Sequence, residues 1–137
     1  MQTRILIVDD EPAVARAMRR ALVVLGYDAT VGRLPHRREH AVDWALRVTD
    51  AADVVVCDWD LGAGIPQGPD LLEAVAAAWP RVARVLHTGR GGDEDQVTAV
   101  MTLGLAHAYL GKPAGLEDIG EAIKAAMRAA NSTAERG

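Results

Sequence analysis

Several side chains in this sequence could bind a metal ion or a phosphate group, and each follows an apolar stretch. Asp9 and Asp10 form the first pair, Asp58 follows three valines and a cysteine, and Thr88 and Lys112 follow two later apolar stretches. Carboxylates that converge in a small space repel one another, and a cation such as Mg²⁺, which prefers oxygen ligands, would relieve this repulsion. The hydroxyl and ammonium groups suit phosphoryl oxygens. The whole set is suited to phosphoryl transfer onto a carboxylate.

The lysine at position 112 is informative because lysine is rare in this chain. The sequence contains 13 Arg and only two Lys, Lys112 and Lys124. A lysine ammonium is a compact charge that fits one phosphate oxygen in a tight site, whereas arginine brings a bulky planar fork. The composition therefore favours phosphoryl binding by Lys112.

The apolar stretches before these side chains have the pattern of buried strands. Val54–Cys57 is a continuous apolar run followed by a Gly/Pro-rich loop, which is typical of a strand covered on both faces in a parallel sheet. Apolar residues at helical spacing follow each strand. The predicted strands are Arg4–Val8, Asp28–Val31, Val54–Asp58, Val82–His87 and Ala106–Leu110, and the predicted helices are Pro12–Leu25, Glu39–Val48, Asp70–Trp79, Gly92–Leu103 and Leu116–Ala130.

This alternation of strands and helices predicts a doubly wound α/β fold with a five-stranded parallel sheet, because crossovers between parallel strands are right-handed. We expect the strand order 2-1-3-4-5, which places the first and third strands side by side where ligands bind in such sheets. Asp9 and Asp10 would then lie beside Asp58. One domain is expected over residues 1–130, followed by a flexible polar tail at residues 131–137.

Composition and charge limit the classes of function. The net charge of −4 gives no basic surface, which argues against nucleic-acid binding by this domain. The single cysteine, Cys57, cannot form an internal disulfide and fits a reducing compartment. The sequence shows neither a signal-peptide pattern nor an apolar run long enough for a membrane span, so we expect a cytoplasmic protein without a membrane partner.

Four short motifs at the ends of the predicted strands resemble the signature of the response-regulator receiver domains of two-component signalling. The resemblance extends over about residues 2–130 and implies a flavodoxin-like sandwich. Each motif is common by itself, but four of them in this order are specific. The motifs are Asp9-Asp10-Glu11, Val55-Val56-Cys57-Asp58-Trp59, Leu86-His87-Thr88-Gly89 and Tyr109-Leu110-Gly111-Lys112-Pro113.

The resemblance assigns a metal site to the acidic residues. It implies that Asp58 is the phosphoacceptor and that Mg²⁺ is the cofactor. Asp10 would bind the ion directly, and Asp9 would help to position it, largely through water. The remaining ligands would be Asp58 itself and the backbone carbonyl of Asp60.

The resemblance also implies a phosphorylation-dependent switch. Thr88 and Lys112 would bind the phosphoryl oxygens, and Tyr109 would turn inward as Thr88 moves. The surface of the fourth helix, fifth strand and last helix would then shift between two packings. A cis peptide bond is implied before Pro113.

The surroundings of Asp58 differ from the family pattern in the loop that follows it. This loop is slightly longer than usual, and Gly62 stands where the family usually has proline. Asp60 and Arg90, each two residues beyond a motif residue, lie at positions that tune phosphoryl lifetime in the family. We hypothesise that an Asp60–Arg90 pair controls the access of attacking water.

The implied partners are a sensor histidine kinase or a histidine phosphotransfer protein, together with an output partner that the sequence does not identify. The chain would be a signalling domain, not an enzyme, and would catalyse only its own aspartyl phosphorylation and dephosphorylation. It would be a monomer or a phosphorylation-dependent dimer.

Two other functions remain open from the sequence. A degenerate receiver could act as a phosphorylation-independent binding module, although the acidic pair, acceptor, threonine and lysine are all present. A haloacid-dehalogenase-like phosphatase is the other, because Asp58-Trp59-Asp60 resembles its Asp-x-Asp motif. That family places its metal-binding acidic pair after the lysine, whereas the acids after Lys112 are Glu117, Asp118 and Glu121 on a predicted helix.

Overall fold

A parallel sheet of five strands forms the centre of the protein and has helices on both faces. The computed structural model describes residues 2–89 and 94–136. In chain order the elements are β1 (Arg4–Val8), α1 (Pro12–Val24), β2 (Asp28–Val31), α2 (Ala41–Val48), β3 (Val54–Cys57), α3 (Gly68–Ala78), β4 (Ala83–Thr88), α4 (Glu94–Thr102), β5 (Ala108–Gly111) and α5 (Leu116–Arg136).

The strand order is β2-β1-β3-β4-β5 and every pair is parallel, which confirms the predicted doubly wound fold. Val8 lies opposite Cys57, and Thr88 lies opposite Gly111. Because these residues end or nearly end their strands, the polar residues that follow β1, β3 and β5 meet at the same edge of the sheet. This edge is the carboxyl edge of the sheet.

Each face of the sheet carries its own apolar core. Alternate strand residues such as Ile7 and Val56 pack with α1 and α5 on one face, and residues such as Val8 and Val55 pack with α2, α3 and α4 on the other. Both sets are nearly inaccessible to solvent, as the unbroken apolar run of β3 predicts. Trp44 of α2 is fully buried, and its indole nitrogen donates to the carbonyl of Arg33 at 2.9 Å.

The last helix is longer than predicted. It continues to Arg136, so the predicted helix end at Ala130 is wrong, and residues 131–136 extend the helix instead of forming a separate tail. This segment contains neither glycine nor proline, and its alanine, glutamate and arginine are good helix formers. The flexibility of this end stays a prediction, and Gly137 lies outside the described residues.

The other boundaries differ from prediction by a few residues. Helix α3 begins at Gly68, two residues earlier than expected, because Pro69 is well accommodated in the first turn. The predicted start of α4 at Gly92 lies outside the described residues. Over the part of the chain that the structure describes, no helix is long and apolar enough to cross a membrane.

A buried arginine ties β4 to the segment between α4 and β5. Arg84 is only 6% exposed, and its guanidinium donates to the carbonyls of Val82, Gly104 and Leu105 at 2.9–3.2 Å. Its backbone N–H donates to Nδ1 of His107 at 3.0 Å, and the N–H of His107 donates to the Arg84 carbonyl at 2.7 Å. The imidazole of His107 thus accepts the hydrogen bond that a backbone carbonyl would accept in a regular strand pair. Strand β5 accordingly begins at Ala108, two residues later than predicted.

Candidate functional site

Three carboxylates converge where β1 and β3 end. Asp9, Asp10 and Asp58 each offer an oxygen atom, and these oxygens all lie within 4.8 Å of one another. Asp9 and Asp58 are buried, whereas Asp10 is exposed to solvent. The structure therefore brings together the three acidic side chains that the sequence placed at this edge.

Lys112 reaches this cluster from the end of β5. Its Nζ lies 2.9 Å from Oδ2 of Asp9 and 3.2 Å from Oδ2 of Asp58. Burial by itself would lower the pKa of Lys112, but the hydrogen bond to Asp9 and the charge of Asp58 outweigh it, so the pKa is raised. The lysine remains charged and bridges two of the carboxylates.

The carboxyl group of Asp58 is difficult to ionise in this environment. Burial, and then the negative charge of Asp9, raise the pKa of Asp58 from 3.8 to about 6, against the opposing effects of Lys112 and of a hydrogen bond from the Trp59 N–H at 2.8 Å. One lysine does not balance the negative charge of three carboxylates. An additional cation at this position would favour the ionised form of Asp58.

The cluster fits Mg²⁺ by the chemistry of its donor atoms. Carboxylate oxygens are hard ligands, and a partly exposed cluster leaves room for the waters that Mg²⁺ retains. Asp9 is further oriented because its Oδ1 accepts a hydrogen bond from the Glu11 N–H at 2.9 Å. The residues present could therefore hold the ion that the sequence resemblance implies.

Thr88 and Tyr109 lie together on the neighbouring strands. Thr88 ends β4 and is 1% exposed, and its carbonyl accepts a hydrogen bond from the Lys112 N–H at 3.1 Å. The hydroxyl of Tyr109, which is half-buried, lies 3.5 Å from the same carbonyl. The switch residue predicted on β5 thus contacts the backbone of the predicted phosphoryl-binding threonine, and its role as a switch stays a prediction.

Of the two residues predicted to tune phosphoryl lifetime, Asp60 and Arg90, the structure describes only Asp60. Asp60 is exposed on the loop that follows β3. Arg90 lies outside the described residues, so the Asp60–Arg90 pair stays a hypothesis.

The loop between β3 and α3 is held by a residue that the sequence analysis missed. Oε1 of Gln67 accepts from the Leu61 N–H at 2.9 Å, and Nε2 donates to the carbonyls of Gly62 and Ile65 at 2.7 and 2.9 Å. The next residue, Gly68, packs so tightly that a Cβ atom there would collide with the backbone carbonyl of Asp58. In the sequence, the only indication of this role is that Gln67 directly precedes Gly68 at the start of α3.

A second residue that the motifs left without a role is His87, which is 5% exposed on the α1/α5 face of β4. Burial and then the charge of Lys112 lower its pKa to about 4, although the charge of Asp9 acts in the opposite direction. The imidazole is therefore neutral at neutral pH. It adds no positive charge to the carboxyl edge of the sheet, where Lys112 is the only cation in contact with Asp9 and Asp58 among the described residues.

The peptide bond before Pro113 has the conformation that the family resemblance implies, and the Cys57 thiol is inaccessible. The peptide bond between Lys112 and Pro113 is cis. Cys57 is buried within β3, and burial together with the negative charges of Asp58 and Asp9 raises the pKa of its thiol. The thiol is therefore unreactive, as a cysteine in the interior of a strand is expected to be.

The sequence is similar to known signalling proteins. The model of the response regulator receiver domain family matches residues 5–124. The transcriptional regulatory protein KdpE of Mycobacterium tuberculosis is 30% identical, over 97% of this chain and 54% of that protein. The hydrogenase transcriptional regulatory protein HoxA of Cupriavidus necator is 27% identical, over 93% of this chain and 25% of that protein. The chain thus spans about half of one curated relative and a quarter of the other.

Solved structures show the same fold. A response regulator receiver domain protein from Clostridium thermocellum superposes with a TM-score of 0.74 at 26% identity, covering 92% of this chain and 94% of that one. A CheY-like receiver domain protein from Methanospirillum hungatei has a TM-score of 0.73 at 24% identity, and the match covers both chains completely.

Proposed function

The chain belongs to the response regulator receiver domain family, and we propose that it is a phosphorylation-switched signalling domain whose phosphoacceptor is Asp58. The observation that carries this proposal is the position of Asp58, which shares a small space with Asp9 and Asp10 and contacts the ammonium group of Lys112. Phosphorylation at this position would change the charge of a buried cluster, which is an effective way to shift a conformational equilibrium.

In the proposed reaction a carboxylate oxygen of Asp58 attacks the phosphorus atom of a partner's phosphohistidine. The new O–P bond forms as the N–P bond breaks, and the imidazole nitrogen keeps the bonding electron pair. Asp58 must be ionised to attack, and with a pKa of about 6 it is mainly ionised at neutral pH. Lys112 Nζ, already 3.2 Å from Oδ2 of Asp58, is close enough to donate to a phosphoryl oxygen bound there.

The ion that this family uses would be held by Asp9, Asp10, Asp58 and the backbone carbonyl of Asp60. When bound, Mg²⁺ would neutralise charge on the phosphoryl oxygens and on the carboxylates. The contribution of the chain is to hold Asp9 through its bond to the Glu11 N–H and to keep Lys112 between two carboxylates.

The proposed switch begins at Thr88 and ends at the surface formed by α4, β5 and α5. A new phosphoryl group would attract the Thr88 hydroxyl, and the Tyr109 hydroxyl contacts the carbonyl of the same residue. Movement of Thr88 would therefore alter the packing of Tyr109 and with it the neighbouring surface. This is a population shift between two packings, driven by charge-assisted contacts that exist only in the phosphorylated state.

The proposed phosphodonors are a sensor histidine kinase or a histidine phosphotransfer protein in the cytoplasm. Both curated relatives are named as transcriptional regulatory proteins and are longer than this chain. We therefore propose that the domain passes its signal to a separate output region or partner protein, as a monomer or as a phosphorylation-dependent dimer.

The positions of the acidic residues and of the phosphoryl-binding groups disfavour the two alternative functions. A phosphatase of the haloacid-dehalogenase type is disfavoured because the acidic pair that joins Asp58 is Asp9 and Asp10, which precede it, whereas the acids after Lys112 (Glu117, Asp118 and Glu121) are exposed on α5. A degenerate receiver is disfavoured because the described residues include every group that the proposed chemistry needs.

One experiment separates the three functions. The protein and its Asp58→Asn variant are incubated with acetyl phosphate, with and without Mg²⁺, and analysed by intact mass, while turnover of p-nitrophenyl phosphate is followed in parallel. The proposal predicts one Mg²⁺-dependent phosphoryl adduct in the wild type, its loss in the variant, and no sustained turnover. Absence of an adduct would indicate the binding module, and sustained turnover would indicate the phosphatase.

A further inference from the structure

The loop between β3 and α3 carries Asp60, whose backbone carbonyl is a proposed ligand of Mg²⁺. We propose that Gln67 is a positioning residue for this ligand, and that its side-chain amide fixes the orientation of the Asp60 carbonyl. The inference rests on the proposed function and extends it to a residue that lies outside the four motifs.

The first step is the hydrogen bond from the Leu61 N–H to Oε1 of Gln67, at 2.9 Å. The carbonyl of Asp60 and the N–H of Leu61 belong to one peptide unit, which is planar and rigid. A bond that fixes the direction of the N–H therefore also fixes the direction of the carbonyl, which points to the opposite side of the chain. Gln67 controls the proposed ligand without touching the ion.

The second step is that the amide group of Gln67 cannot rotate freely. Its Nε2 donates to the carbonyl of Gly62 at 2.7 Å and to that of Ile65 at 2.9 Å. The three partners also fix the orientation of the amide. If it were flipped, Nε2 would face the N–H of Leu61 and Oε1 would face the carbonyl oxygens of Gly62 and Ile65. One side chain thus connects three points of the loop.

The third step is that Gln67 is itself held in place beside Asp58. Its backbone N–H donates to Oδ2 of Asp70 at 3.1 Å. The adjacent Gly68 donates its N–H to the Trp59 carbonyl at 2.8 Å and packs directly on the backbone of Asp58. The position of the amide is therefore set by the same strand end that carries the phosphoacceptor.

The loop needs this restraint because of its glycines. Gly62 and Gly64 both have positive φ, 106° and 82°, a conformation that glycine adopts easily but does not enforce. Without the amide, the Asp60–Leu61 peptide would sample several orientations, and binding of the ion would have to select one of them. Residues that orient metal ligands typically change affinity by about 10- to 100-fold when they are replaced.

The test uses Gln67→Met, which keeps the length of the side chain and removes all three hydrogen bonds, and Gln67→Glu, which keeps an acceptor for Leu61 and removes the donors. Gln2→Met makes the same chemical change far from the site, where the Gln2 amide donates to the Gly26 carbonyl at 3.2 Å. Two quantities are measured for each protein. They are the Kd for Mg²⁺ by calorimetry and the hydrogen-exchange rate of the Leu61 amide by NMR without metal.

We expect Gln67→Met to raise the Kd about tenfold and to accelerate exchange at Leu61, with a smaller acceleration in Gln67→Glu and no change in Gln2→Met. Unchanged exchange and unchanged Kd in Gln67→Met would overturn the inference while leaving the proposed function intact. If the wild type does not bind Mg²⁺, the metal part of the proposed function fails, and the role of Gln67 fails with it. Asp10→Asn, which should weaken binding in the wild-type background, identifies the ion as bound at this site.

Discussion

Buried polar groups lie at both ends of the parallel sheet, and the two ends differ in how their charged side chains are paired. At the end remote from the carboxylates, Arg84 donates to three carbonyl oxygens, and His107 accepts from its backbone. At the carboxyl edge of the sheet, Asp9, Asp10 and Asp58 converge, and among the described residues Lys112 pairs with two of them, Asp9 and Asp58. The first arrangement satisfies the N–H donors of one guanidinium with neutral carbonyl oxygens of the fold, whereas the second brings three carboxylates together beside one ammonium group of the described residues. This difference distinguishes a structural polar cluster from a site that is prepared for a ligand.

The largest change in stability is expected from replacing Arg84, at the end of the sheet remote from the carboxylates. Arg84→Met would leave the carbonyls of Val82, Gly104 and Leu105 without their donor and should lower the free energy of unfolding by about 2–4 kcal/mol. Urea denaturation measures this loss. The matched control is Arg81→Met at an exposed position, and an equal, small loss in both variants would contradict the structural role of Arg84.

A gain in stability is expected at the carboxyl edge of the sheet. Asp58→Asn removes a charge that the fold disfavours and should stabilise the protein by about 1–3 kcal/mol at pH 8 when divalent cations are removed with a chelator. The control is Asp50→Asn at an exposed position, which changes the net charge equally. Thermal unfolding of the three proteins measures the effect.

The sign of the pH dependence follows from the raised pKa of Asp58. The folded state binds the proton more tightly than the unfolded state, so the wild type loses stability as the pH rises from about 4 through about 6. The advantage of Asp58→Asn should therefore shrink as the pH falls below 6. An advantage that stays constant from pH 8 to pH 4.5 would indicate that the gain has another origin.

The smallest effect is expected at His107. Burial and then the charge of Arg84 lower its pKa to about 4, so the folded state requires a neutral imidazole. Stability from this group is complete above the unfolded value of 6.5 and is lost as the pH falls toward 4. His107→Asn should reduce the loss between pH 6.5 and 5 by about 1 kcal/mol, after allowance for the partial exposure of the ring. An unchanged acid-side slope of stability would contradict this assignment.

The sequence predicted the fold well because its strands are unusually clear. Val54–Cys57 and the other apolar runs specify buried parallel strands, and right-handed crossovers then leave few possible strand orders. The meeting of Asp9, Asp10 and Asp58 follows from that order. Among the described residues the largest difference is at the end of α5, because the polar residues after Ala130 predict a tail although none of them breaks a helix.

The residues that the sequence did not reveal act through tertiary contacts. In the sequence nothing distinguishes Gln67 from an ordinary loop residue, whereas in the structure its amide binds Leu61, Gly62 and Ile65. Arg84 lies in an apolar strand, where the pattern alone cannot show that three carbonyls surround its guanidinium. Side chains that bind distant backbone atoms have no periodic signature, so the structure was needed to find them.

The most direct test of the account is to locate the phosphoryl group on the chain. The protein is treated with acetyl phosphate and Mg²⁺, the acyl phosphate is reduced with borohydride, and the modified residue is identified by peptide mass mapping. The account predicts that Asp58 alone is converted to homoserine, and that omission of Mg²⁺ prevents the conversion. Conversion at Asp9, Asp10 or Asp60 with Asp58 unmodified would contradict the assignment of the phosphoacceptor.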